Sequence, residues 1–365
     1  MNVCIIGGGL TSLSLAKVLI KKKIKVHNYQ KKISDNILTT RTLGISKDNF
    51  EFFKKEIINI PKNKLWNINK IEIFTEKLHK DKIINFERSK DDLFYIFKND
   101  SLYKLLSKKL SKDKFFKKKI IKHNNFYDNL LKKNKYDLII NCDSKNIIAK
   151  KFFLKKVKKR YNNIAYTTIL NHEKIRNNTA VQIFTKHGPI AFLPMSNLKT
   201  SVVYSFDVSK KKYSEKKIIE LIKNYNPKYN IKKIANLSQF ELNSSTLRNY
   251  YYKNITAFGD CLHTIHPLAG QGFNMTIRDI KIFSNIIKDK MDLGLQLDSI
   301  VLDEFEKKTK HINFIFSNGI DFIYEFFNFD KKIENENLNK LLKFFGNKKI
   351  LNDYLIKYAD KGIKI

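Results

Sequence analysis

The sequence predicts an α/β chain in which a parallel-sheet domain is built from discontinuous segments, joined by a mainly antiparallel β-sheet domain and a helical C-terminus. Three observations carry this. A short apolar run, "NVCII", halts at Gly7-Gly8-Gly9 ahead of a helical repeat; residues 160 to 245 alternate with a strand period; and a second glycine-rich loop, after "NITAF", precedes another helical repeat. The boundaries that follow are 1–69, 95–160 and 250–290 for the first domain, 70–94 and 161–249 for the second, and 291–365 for the helical region.

At 365 residues there is material for one large or two medium domains with a buried core. No run reaches the roughly 18 apolar residues needed to cross a bilayer. The start, "MNVCIIGGGLTSL", enters a strand-and-glycine pattern with no basic leader, so the expected location is the cytoplasm. A formal charge of +36 invites a nucleic-acid partner, but only six of the 71 basic residues are arginine, and lysine is spread along nearly every segment. A solvated lysine surface is the expectation, with attraction to anionic lipid headgroups second and no nucleic acid. Cys4, Cys142 and Cys261 have no metal-ligand or redox-pair spacing. They are expected to be small buried hydrophobes, and no metal is expected.

In chain order, "NVCII" reads as a strand, and Leu10, Leu13, Ala16 and Leu19 or Ile20 mark one face of a helix. "IKVHNYQ" returns as a second strand. This is the opening of a Rossmann-like dinucleotide-binding unit, whose turn glycines let a pyrophosphate approach a helix N-terminus. Gly7 and Gly9 fit the first two positions of G-x-G-x-x-G, while Ser12 replaces the third glycine. Gln30 stands where an acidic residue would grip a ribose; its amide still hydrogen-bonds, without charge assistance. Taken alone, the motif is also compatible with a plain glycine turn. "YDLIINCDS" forms a further strand ending at Asp143, which by itself reads equally as a turn or capping residue.

"IAYTTIL", "TAVQIFT", "IAFLPM" and "TSVVYSF" predict the antiparallel sheet, with "KIEIF" and "KIINFE" from residues 70 to 87 joining it. Helices follow residue 290, including "INFIFSNGIDFIYEFFNF" and "LNKLLKFF". Their aromatic faces and adjacent lysines suit peripheral attachment to a membrane, and equally suit packing on the first domain.

The strand "NITAF" ends at Gly259-Asp260, which puts a carboxylate at the carboxyl edge of a parallel sheet, where ligands of this architecture bind. Gly270 and Gly272 flank Gln271 ahead of a helical repeat through Phe273, Ile277, Ile280 and Ile287. Such a helix N-terminus offers N–H groups and a positive dipole end to a nearby negative charge.

"GDCLHTIHPLAGQGFNMTIRD" resembles the FAD-contacting loop of class A flavoprotein monooxygenases, and in particular that of the ubiquinone-biosynthesis aromatic hydroxylases. "IIGGGLTSLSLA", "TTRTLGIS", "DLIINCDS" and "AVQIFTKHGPIAFLPM" resemble, in order, their ADP-binding turn, arginine segment, Asp-Gly motif and substrate-sheet loop. Ser144 replaces the glycine of the Asp-Gly motif. The resemblance implies that Gly7, Gly9 and Gln30 lie along the ADP half of FAD and that Arg41 lies near the diphosphate or the nicotinamide approach. It implies that Asp143 supports the pocket, that Asp260 holds the ribityl or diphosphate region, and that Pro267, Gly270, Gln271, Gly272 and Asn274 line the isoalloxazine. Gly188, Pro189, Phe192 and Pro194 would form one wall of an apolar substrate pocket. The implied reaction hydroxylates a polyprenylated phenol with NADH or NADPH and O2 through a C4a-hydroperoxyflavin shielded from water. His263 and His266 are weak candidates for proton transfer, a loop histidine being more often structural. The alternative reading is a non-catalytic flavoprotein-like subunit of a quinone-biosynthesis assembly.

Overall fold

The computed structural model describes residues 1–31, 42–76, 84–87, 92–123, 125–132, 135–207, 213–265 and 271–330. Its first sheet holds β1 (Asn2–Ile6), β2 (Lys25–Gln30), β8 (Phe116–Ile120), β9 (Leu138–Asn141), β16 (Tyr251–Tyr252) and β17 (Ile255–Ala257), in the order β16-β17-β9-β1-β2-β8. Every neighbouring pair is parallel except β16 with β17. Residues 3–6 of β1 are fully buried, as a central parallel strand covered on both faces requires. β2 instead alternates, burying Val26, Asn28 and Gln30.

Helices α1 (Leu10–Lys21), α3 (Asn99–Leu110) and α7 (Gln271–Asp292) cover this sheet, α1 packing against both of the others. α2 (Lys47–Phe52) meets α7, and α8 (Ser299–Asp330) packs on α7 as well. Ile277, Ile280, Phe283, Ile286 and Ile287 of α7 are at most 1% exposed, each worth about 1.5–3 kcal/mol of burial. The short α4 (Asn125–Lys132) and α5 (Ile147–Phe152) flank β9 in the chain. Asn146 caps α5, accepting from the Ala149 N–H at 2.8 Å.

The large sheet runs β18-β15-β10-β13-β12-β11-β5-β6, with β14 also on β10. Its strands are β5 (Lys70–Thr75), β6 (Ile84–Glu87), β10 (Lys156–His172), β11 (Thr179–Thr185), β12 (Gly188–Ser196), β13 (Lys199–Asp207), β14 (Ile231–Ile234), β15 (Ser238–Leu247) and β18 (His263–Thr264). All its pairings are antiparallel except β11 with β5. The segments "KIEIF" and "INFE" therefore do join this sheet. Under one face lies α6 (Glu215–Asn224), whose Ile218, Leu221 and Ile222 pack with Phe192, Tyr204 and Phe206. A third sheet, β3 (Thr42–Ser46), β7 (Phe94–Lys98) and β4 (Trp66–Ile68), bridges the two larger ones. No helix among the described residues is long and apolar enough to cross a membrane.

Candidate active site

The parallel sheet delivers four turns to one edge: Gly7 after β1, Gln30 closing β2, Asp143 after β9 and Gly259-Asp260 after β17. A cavity of about 710 Å³ runs along that edge and on beneath the large sheet. Of the residues singled out from the sequence, it is lined by Gly7, Gly9, Gln30, Asp143, Asp260, Gly272 and His263.

The glycine turn after β1 is held by the Gly7 N–H to the Tyr29 carbonyl, 2.8 Å, and by the Asn28 amide to the Gly7 carbonyl, 2.8 Å. Gly7 has φ +132°, and a Cβ there would stand 2.8 Å from Ser12 Oγ and 3.2 Å from Cys142 Cβ. Ser12 in place of a third glycine is thus absorbed by the turn, fully buried beside Cys142. Gly259 has φ +58°, and its Cβ would meet Thr11 Cγ2 at 2.6 Å, so the Asp260 turn sits directly on the first turn of α1. Thr11 carries no sequence signal for this contact. Over Gly9 a Cβ would meet nothing within 4 Å among the described residues, and Gly9 lines the cavity.

These features fit the ADP portion of FAD. Gln30 is 3% exposed, and its Oε1 has no hydrogen-bond partner among the described residues, which suits a ribose hydroxyl as donor. Gln271 Oε1, at the start of α7, is likewise buried without a partner among them. Asp260 is exposed toward the cavity. Being charged, it is the stronger acceptor. We expect Asp260→Ala to weaken FAD binding by about 10- to 100-fold and Gln30→Ala by only about fivefold. Titration of apoprotein with FAD, followed by flavin fluorescence, decides; equal losses would contradict the weighting.

Other candidates are committed to protein contacts. Asp143 Oδ1 accepts from the Lys145 N–H at 2.9 Å, so the carboxylate shapes its own turn while bordering the cavity. Asn274 is fully buried; it donates to the Gly44 carbonyl at 2.8 Å and accepts from the Ser46 N–H at 2.9 Å. It fastens α7 to β3, and its side chain is not among those lining the cavity. Gly272 has ordinary helical backbone, and a Cβ there would lie 3.8 Å from Ile265, so no steric constraint among the described residues demands glycine. Arg41, His266, Pro267 and Gly270 lie outside the described residues.

His263 lines the cavity and is also a structural hydrogen-bonder. Its Nε2 lies 2.5 Å from Asp279 Oδ2, both side chains being 1% exposed, and Asp279 Oδ1 accepts from the Asn313 amide at 3.0 Å. The chain of bonds ties β18 to α7 and α8. Sequence reasoning missed Asp279, although an acidic residue on the same apolar stripe as Ile280 and Phe283 was a usable signal.

On the substrate side, β12 turns Ala191 and Leu193 to the cavity. Phe192 is fully buried on the opposite face, 6.1 Å from the Tyr229 ring. Gly188, Pro189 and Pro194 are buried too, and none of these four lines the cavity. The two-residue period of a strand places Phe192 and Pro194 on the face opposite Ala191 and Leu193, whereas Pro189 shares the parity of those two and lies off the cavity at the start of β12, opposite Phe184. Thr42 and Ser201, unsuspected from the sequence, join across the cavity wall through Thr42 Oγ1 to Ser201 Oγ, 3.0 Å. Burial pushes the Cys142 and Cys261 thiols up to about 12, so neither is a thiolate nucleophile near neutral pH.

Residues 139–288 match the family described as FAD binding domain. The mitochondrial ubiquinone biosynthesis monooxygenase COQ6 of Dictyostelium discoideum is 26% identical over 186 residues, 41% of this chain and 38% of that protein. The 3-demethoxyubiquinol 3-hydroxylase of Escherichia coli strain K12 is 28% identical over 149 residues, 39% of this chain and 38% of that one. These matches span less than half the length of either relative. In fold the chain is similar to p-nitrophenol 4-monooxygenase of Pseudomonas putida, with a TM-score of 0.76 at 11% identity over 100% of this chain and 98% of the other.

Proposed function

We propose that this chain, by sequence and fold a member of the class A FAD-dependent aromatic monooxygenases, hydroxylates the ring of a polyprenylated phenol in ubiquinone biosynthesis, using NADH or NADPH and O2. The observation that carries the reading is a single cavity joining the carboxyl edge of the parallel sheet to an apolar underside of the large sheet. FAD, when bound, supplies the transfer of electrons from the nicotinamide to O2 and so activates the oxygen.

The chain's own residues bind, orient and shield. Gly7 and Gly9 open the backbone at the start of α1, Gln30 and Asp260 accept from ligand hydroxyls, and the N-terminus of α7 at Gln271-Gly272 presents a positive dipole end. Arg41, Pro267 and Gly270 take the roles implied by the resemblance. Ala191, Leu193 and Val203 border the ring side with apolar surface, which keeps water from the reacting atoms. Among the described residues no acid–base pair faces the cavity freely, since His263 is held by Asp279.

The proposed division assigns 1–69, 95–160 and 250–290 to the cofactor, 70–94 and 161–249 to the substrate, and 291–365 to a helical region. A cytoplasmic location and a quinone-biosynthesis complex belong to the same proposal, and reversible attachment to an anionic membrane surface is supported by the charge of +36.

The test is NAD(P)H consumption coupled to ¹⁸O incorporation from O2 into a prenylphenol by the FAD-loaded protein. Incorporation that depends on both substrates is the expected result. A flavin-loaded protein that oxygenates no prenylphenol, while a partner complex requires its presence, establishes the scaffold reading instead.

A further inference from the structure

The cavity extends beyond the ring side into the seam between the three-stranded sheet and the large one. On β4 and β7 the alternation sends Trp66, Ile68, Phe94 and Ile96 to one face, in register as Trp66 opposite Ile96 and Ile68 opposite Phe94. Facing them across the seam are Ile71, Ala180 and Leu193 of the large sheet, and the group forms an apolar cluster separate from the two main cores. Ile71 and Phe94 line the cavity and are only half-buried, although each stands between two sheets.

Trp66 Nε1 donates to the Asn177 carbonyl at 2.5 Å, just ahead of β11, which fixes the indole beside this apolar cluster. An apolar recess continuous with the reaction cavity takes an occupant of matching chemistry: a hydrocarbon chain attached to the ring being oxidised.

We infer that this seam is a subsite for the first part of the substrate's isoprenoid chain, with Ile71 and Phe94 as specificity-determining residues and Trp66 packed in the same apolar cluster. The inference rests on the phenol-hydroxylase reading for the identity of the ring. Each buried methylene contributes about fourfold to a binding constant, so even one isoprene unit seated here discriminates strongly against a bare ring.

Trp66 is the one tryptophan in the chain, which gives a readout independent of turnover. The FAD-loaded protein is titrated with 2-geranylphenol and, separately, with phenol, following tryptophan emission. Geranylphenol should change Trp66 emission saturably and phenol should not. Ile71→Asn and Phe94→Ala, each checked for parental flavin content and thermal midpoint, should raise the dissociation constant of geranylphenol relative to that of phenol by about tenfold or more. Equal changes for both ligands, or a Trp66 signal indifferent to geranylphenol, overturn the subsite. Should one variant fold poorly, the emission titration of the parent protein still decides. A protein that shows the Trp66 response yet hydroxylates no phenol keeps the subsite and loses the phenol-hydroxylase reading, so the two failures are distinct.

Discussion

Gly188→Ala is expected to destabilise the chain by about 3 kcal/mol or more. Gly188 begins β12 with φ +138°, and a Cβ on it would stand 1.9 Å from the Ser205 carbonyl oxygen and 3.0 Å from its carbon. No side-chain rotation relieves a clash with backbone. Nor can the strand retreat: β12 pairs with β11 on one side and β13 on the other, and the Gly188 carbonyl accepts from Thr185 Oγ1 at 2.7 Å. The thermal midpoint should fall sharply, while folded protein that remains should bind FAD with parental affinity, because Gly188 does not line the cavity. An alanine variant within about 0.5 kcal/mol of the parent would show that the turn yields more readily than its geometry implies.

His263→Ala is the second large effect, and its signature is a rescue. Removing the imidazole leaves the Asp279 carboxylate, 1% exposed, with the Asn313 amide as a remaining donor among the described residues. Breaking a buried pair from one side typically costs about 3–5 kcal/mol, because the abandoned charge stays buried. Adding Asp279→Asn removes that charge, so the double variant should be more stable than His263→Ala alone. Denaturant midpoints of the parent, both single variants and the double variant make the comparison. In enzyme kept folded and flavin-loaded, the hydroxylation rate should drop far less than the stability, since the imidazole is engaged by Asp279. Loss of turnover without loss of stability would instead make His263 a participant in proton transfer.

The glycine turns show what a sequence discloses well. Gly7 and Gly259 both adopt positive φ at strand ends, a demand that is local and leaves a local mark. The apolar runs of β1 and β9 were equally plain, because a central parallel strand is buried on both faces. Asn274 shows the opposite case. Its place in the motif pointed to a ligand, yet its amide is taken up by Gly44 and Ser46, 230 and 228 residues away. Nothing near it in the chain carries that information.

By itself the sequence determined the parallel-sheet unit, its glycine turns, the Asp260 carboxylate at their edge and the antiparallel sheet that follows, all of which rest on period and turn chemistry within a few residues. Only the tertiary structure decided which face of each strand meets the cavity. On β12 both faces are apolar, so alternation could not tell Ala191 and Leu193 from Phe192 and Pro194. The choice was made when α6 covered one face of the large sheet with Ile218 and Ile222, which left the other face to the cavity. The His263–Asp279 bond was decided in the same way, because a buried polar side chain must find its partner wherever folding brings one, 16 residues away here.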